Sequence, residues 1–184
     1  MLEENGLYIA IGAGVVALIF AAVLARRVLN EDQGNDTMKD IGTAIQEGAM
    51  AFLGREYHTL AIFVIVVAAI MAFLPDLGVE PAIAYVVGAL CSATTGFLGM
   101  SIAIRANTRT AAAASVSLNS GLRVAFSSGA VMGVSVVGIG ILGISILYII
   151  FQDINTVAAF GFGASSIALF ARVAVAGGPR TGGG

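Results

Sequence analysis

Charge is what this sequence has least of. Asp, Glu, Lys and Arg make up 11% of its 184 residues, where about a quarter is usual for a soluble domain. With 58% hydrophobic residues and a mean hydropathy of +0.97, this scarcity excludes a water-soluble globule and predicts an integral membrane protein. Cys91 is the only cysteine, which excludes an intrachain disulfide and a multi-cysteine zinc site. In its apolar run it reads as a buried, inert thiol. His58 is the only histidine; with no second ligand candidate beside it, an interfacial structural role stands ahead of a proton relay. Beyond Glu80 the one acid is Asp153. The basic residues form no patch suited to nucleic acid, so none is expected as a partner.

What is present comes in long apolar runs. They lack the alternation of a barrel strand, so the spans are expected to be helices, whose backbone groups are satisfied internally. At about 20 residues per span there is room for four to six helices and no large domain outside the membrane. The first run, residues 7–25, follows Glu3 and Glu4 and precedes Arg26 and Arg27. A signal peptide has a basic leader and a shorter apolar core, so this reads as a retained helix. Within it, Gly12-Ala13-Gly14-Val15-Val16-Ala17 fits a dinucleotide fingerprint, with Glu31 and Asp32 downstream. A Rossmann helix needs a polar outer face, which residues 15–25 lack. Ala13, Ala17, Ala21 and Ala25 instead form a small-residue ridge for helix packing.

Residues 30–40 form a polar connection, with Asp36 or Thr37 the expected N-cap of the next helix. Ile41, Ala44, Ile45, Ala49, Phe52 and Leu53 recur at helical spacing, with Asp40, Thr43 and Glu47 on another face. This amphipathic entry runs into the apolar stretch 60–74, predicting one long helix whose first turns stand outside lipid. Arg55, Glu56, Tyr57 and His58 mark the membrane boundary within it. Residues 75–81, bounded by Pro75 and Pro81, form a short turn. A third span follows over 82–104, with Gly88, Ser92 and Gly96 at four-residue spacing for close helix approach. Residues 105–114 read as a basic connection and 115–126 as a segment of mixed polarity that fits a helix extending outside the lipid. The fourth span, 128–151, carries Gly129 and Gly133 as a GxxxG pair. After a turn at 152–156 the fifth span ends at Arg172.

Arg26, Arg27 and Lys39 flank the first connection, Arg105, Arg109 and Arg123 the second, and Arg172 closes the last span; the opposite turns have no lysine or arginine. The positive-inside rule therefore predicts an all-α, polytopic helical bundle of about five spans, N-terminus outside and C-terminus cytoplasmic. Arg172 alone reads as a snorkelling arginine at the end of a span.

Four segments in order resemble the amino-terminal part of the membrane-bound, ion-translocating inorganic pyrophosphatases: residues 41–57 (IGTAIQEGAMAFLGREY), 88–110 (GALCSATTGFLGMSIAIRANTRT), 126–133 (FSSGAVMG) and 161–173 (GFGASSIALFARV). The resemblance covers nearly the whole of residues 1–173. Residues 174–184 depart from it, holding no acid and no lysine, and read like a frameshift, a sequencing end or an expression scar. By resemblance, the intact protein hydrolyses cytoplasmic pyrophosphate and moves protons or sodium outward, with magnesium and often potassium, as a homodimer in a bacterial inner membrane or an organellar one. Arg172 matches the family arginine at the ionic gate, which pairs with an aspartate and a lysine from other helices. The family's magnesium-pyrophosphate ligands lie beyond the matching residues, so no catalytic residue and no metal ligand is assigned here. Elementary chemistry agrees, since pyrophosphate hydrolysis needs clustered carboxylates and lysines that this stretch lacks. The inner acids Glu31, Asp32, Asp36, Asp40, Glu47 and Glu56 read as solvated or helix-capping. The alternative from another class is a non-catalytic transmembrane scaffold or transporter subunit associating through its small-residue ridges.

Overall fold

The computed structural model describes the backbone of residues 2–74 and 78–176 and the side chains of residues 5–74 and 78–169. The described residues form five helices and no strand: α1 (Leu2–Asn30), α2 (Asp36–Phe73), α3 (Val79–Val116), α4 (Leu118–Phe151) and α5 (Ile154–Ala176). Four are long and apolar enough to cross a membrane, and the described part of α5, Ile154–Leu169, is a shorter apolar helix. The expected polytopic helical bundle is therefore the fold. At 38 residues each, α2 and α3 rise about 57 Å, nearly twice the ~30 Å of a hydrocarbon core. Roughly half of each must stand beyond the lipid, as the amphipathic start of α2 predicts.

Local chemistry sets the helix ends. Asp32 Oδ1 accepts from the Gly34 N–H at 3.1 Å, and Gly34 takes φ 82°, so the chain turns after α1. The N-cap of α2 is Asn35, whose Oδ1 accepts from the Met38 N–H at 2.9 Å. This corrects the expectation of Asp36 or Thr37; Asp36 sits in the first turn and pairs with Lys39 at 3.1 Å. α2 stops at Phe73, just before Pro75, which cannot donate a helical hydrogen bond and disfavours helix in the residue ahead of it.

The largest departure from the sequence reading lies at residues 105–114, whereas residues 118–126 are helical, as the mixed segment allowed. The expected basic connection is helical, so α3 runs on to Val116 and α4 begins at Leu118. Ser117 alone separates them, and its hydroxyl accepts from the Ser120 N–H at 3.1 Å to cap α4. Alanine-rich sequence after Arg109 is strongly helix-forming, which explains why charge did not end the helix. Similarly, the 152–156 turn shrinks to Gln152 and Asp153, with Gln152 at φ 52°.

The chain divides into two compact units. The first comprises Met1–Leu53 with Thr94–Ile146, the second Gly54–Ala93 with Leu147–Gly184. In the first, Val28, Ala106 and Val124 form the buried core, with Ile102 and Ala113 against it. Gly14, Ala21 and Val28 are the buried positions of α1, whereas Ala13 is exposed. Of the predicted alanine series, Ala21 is buried and Ala17 and Ala25 are half-buried, while Gly14 takes the place of Ala13. A Cβ on Gly14 would lie 2.8 Å from Leu142 Cγ, and one on Gly138 would lie 2.9 Å from Leu18 Cδ2, so glycine on both helices permits this approach. The Gly129 and Gly133 pair does not pack as predicted: no neighbour among the described residues lies within 4 Å of a Cβ at either. In the second unit the core is Met71, Ala82, Ala84, Tyr85, Leu147, Ala159 and Phe160, with a smaller cluster of Leu60, Ala89 and Ile167.

Candidate functional site

The segment that leads to Arg172 crosses α3 closely within the second unit. A Cβ on Gly88 of α3 would collide with the Phe160 carbonyl of α5, and a Cβ on Gly163 would collide with the Tyr85 carbonyl of α3. Two glycines, one per helix, thus bring two backbones into contact, the arrangement that small residues make possible in membranes. Beside them the Tyr85 and Phe162 rings lie 5.5 Å apart, within the range of favourable aromatic pairs. Gly88 and Gly163 belong to the second and fourth resembling segments, so residues far apart in sequence prove to be two halves of one contact. Ser166 turns its hydroxyl to the Phe162 carbonyl at 2.8 Å and is spent within α5.

Arg172 is carried on the last turns of α5; its side chain lies outside the described residues, as do residues 177–184 of the tail. A cavity of about 790 Å³ lies at the other end of α5, lined by Glu80, Pro81, Asp153, Asn155 and Thr156 among others. Thr156 and Arg172 are separated by about 24 Å along the helix at 1.5 Å per residue, so this cavity does not belong with the arginine. Its acid is already engaged: Asp153 Oδ2 accepts from the Thr156 N–H and hydroxyl, both at 2.9 Å. The Thr156 N–H, then its hydroxyl, with Asn155 adding to them, holds the Asp153 carboxyl below its ordinary value. Asp153 is the N-cap of α5.

The boundary residues of α2 are more varied than the sequence implied. His58 is exposed. Tyr57 is half-buried, and its hydroxyl donates to the Ala93 carbonyl of α3 at 2.7 Å, tying two helices of the second unit. Glu56 departs from the solvated reading given to the inner acids: both carboxylate oxygens are shielded from solvent and lack a hydrogen-bond partner among the described residues. Glu31, Asp32, Asp36, Asp40 and Glu47 are exposed, as expected. Cys91 is half-buried and packs against the second unit's core.

At the basic end of the first unit, one arginine was missed. Charge counting treats Arg109 as one of several topology signals, but only 9% of it is exposed. Its Nε and Nη2 donate to the Leu29 carbonyl at 3.2 and 2.9 Å, and Nη1 to the Arg105 carbonyl at 2.6 Å. It caps the C-terminus of α1, where a cation also meets the negative end of the helix dipole. The available signal was Arg105 and Arg109 at i,i+4 in a segment with small apolar residues on both sides.

Among the described residues no group of three or more His, Cys, Asp or Glu could hold a metal ion. The fold and these contacts define a polytopic α-helical membrane protein packed through glycine crossings. Residues 15–181 match the family described as inorganic H+ pyrophosphatase, and the chain belongs to that family. That match continues past Val173, where the resemblance read from the sequence stops. The chain is 46% identical over 169 residues to a K(+)-insensitive pyrophosphate-energized proton pump of Methanosarcina mazei, covering 92% of this chain and 25% of the relative. It is 47% identical over 171 residues to a Clostridium tetani protein with the provisional name K(+)-stimulated pyrophosphate-energized sodium pump, covering 92% and 25%. A K(+)-insensitive pyrophosphate-energized proton pump 2 of Moorella thermoacetica is 42% identical over 167 residues, covering 87% and 24%. The chain spans about a quarter of the length of the curated relatives it matches.

Proposed function

We propose that this chain forms part of a primary pump that hydrolyses inorganic pyrophosphate to two phosphates and moves protons or sodium outward across a membrane. The observation that carries the reading is the family match over residues 15–181, joined to relatives whose names specify pyrophosphate-energized pumping. Near-equal identity to a relative named for protons and to one named for sodium supports a cargo of either ion. Magnesium is the proposed cofactor, because it offsets the charge of pyrophosphate. Among the described residues no group of carboxylates is placed to hold it. This chain contributes the helical wall and, on α5, Arg172 as the proposed gate residue, N-terminus outside and Arg172 at the cytoplasmic side. The intact protein is proposed to act as a homodimer in a lipid bilayer, that of a bacterial inner membrane in the first instance and an organellar one in the second.

A chimera tests this. Residues 15–173 replace the matching segment of the Methanosarcina mazei pump, and inverted vesicles are assayed for pyrophosphate hydrolysis and ion uptake. The expected result is hydrolysis with uptake, and Arg172→Ala reduces uptake relative to hydrolysis. A chimera that inserts and assembles yet neither hydrolyses nor pumps would overturn the reading.

A further inference from the structure

Within the first unit a cavity of about 370 Å³ is lined by Arg105, Thr108 and Arg109 of α3, Thr43 and Gln46 of α2, and Gln33 of the α1–α2 connection. No aspartate or glutamate lines it. A guanidinium has five N–H donors, and Arg109 spends three on the Leu29 and Arg105 carbonyls. Two remain on a side chain that is 9% exposed. Among the described residues neither Arg105 nor Arg109 forms an ion pair, and Asp36 is taken by Lys39. The C-terminal dipole of α1 offsets about half a charge, so two arginines leave an excess of roughly one and a half positive charges around a polar cavity. Arg105 is exposed to water, but the Arg109 charge is buried, and a buried charge is costly unless an anion meets it. Thr43 is not a donor here, because its hydroxyl proton goes to the Lys39 carbonyl. Thr108, Gln33 and Gln46 supply neutral donors, and a guanidinium fork matches phosphate oxygens in shape.

We propose that this cavity binds a phosphate oxyanion between Arg109 on its wall and Arg105 at its exposed rim. The chemistry is shared by free inorganic phosphate and by the phosphodiester of an anionic lipid headgroup, and the site does not rest on the pump reading. The volume suits a single small anionic group, being at the low end for ligand cavities.

The test melts the full 184-residue chain in two settings. In neutral detergent, inorganic phosphate is titrated against chloride at matched ionic strength. In nanodiscs, phosphatidylcholine is compared with and without phosphatidylglycerol. A ligand that binds the folded state raises the melting temperature with its concentration. A rise with inorganic phosphate identifies the free anion, and a rise confined to phosphatidylglycerol identifies the headgroup; either supports the site. Arg105→Gln, an exposed change that leaves the α1 cap intact, is expected to weaken the effect about tenfold in concentration, the size of one lost charge-assisted hydrogen bond. Arg109→Lys keeps the charge but loses the fork and is expected to weaken it as well; if that variant does not fold, Arg105→Gln decides. No rise in either setting, or a rise unchanged by Arg105→Gln, overturns the proposal.

Discussion

At the scale of single residues, polar side chains in this protein fall into satisfied caps and exceptions. Asp153 is a satisfied cap with a titration signature. Its carboxyl is held below the ordinary 3.8 by the Thr156 N–H and hydroxyl, so its contribution to stability is fully present above that value. It is lost as pH falls through the depressed folded-state value. Thermal melts of wild type and Asp153→Asn should therefore differ most near neutral pH, with wild type the more stable. The gap should close as pH is taken below about 4. A gap independent of pH would show that the carboxylate is not the capping form. Glu56, by contrast, has no partner for either oxygen among the described residues. Charge alone could not separate it from the exposed acids nearby, because burial of a side chain depends on which helix faces it.

At the scale of elements, the described glycines are not equivalent although the sequence repeats them in similar patterns. Gly88 faces a backbone carbonyl that cannot rotate away, whereas Gly129 faces open space. Gly88→Ala should force α3 and α5 apart and destabilise the chain by about 1–3 kcal/mol or more, as overpacking does. Gly129→Ala should be neutral or stabilise by about 0.5–1 kcal/mol, because alanine is the better helix former. Denaturant titration of the two variants side by side, monitored by helical circular dichroism, checks the contrast. Equal effects would mean that glycine count, not contact, governs these helices. The same logic explains why the GxxxG pair misled: the spacing marks a face that can approach a neighbour closely, and only a facing helix turns that capacity into a contact.

At the scale of the whole molecule, the 184-residue chain reconstituted with magnesium and pyrophosphate is expected to release no phosphate above background. Among the described residues no three metal-binding side chains converge, and beyond Glu80 the one acid, Asp153, is committed to a cap. Phosphate release by the purified chain, absent from a denatured control, would show a catalytic constellation where none is seen.

Much of the architecture was legible in composition and periodicity. Low charge and long apolar runs require helical spans, because a bilayer leaves backbone groups no other way to be satisfied. The four resembling segments sufficed to name the family, and the amphipathic pattern over residues 41–53 announced a helix longer than a membrane is thick. What stayed hidden was pairing. Gly14 stands in the α1 seam where Ala13 was expected, a few alanines carried α3 through its basic stretch to Val116, and Arg109 left the solvent to cap α1. Such outcomes depend on distances between segments remote in sequence. The sequence by itself determined that this protein lives in a membrane as helices, since that follows from the solvent preference of each residue. Only the tertiary structure decided, among the described residues, which glycines meet a neighbouring helix, that Arg109 is buried and that Glu56 is left without a hydrogen-bond partner, because those are properties of two surfaces meeting.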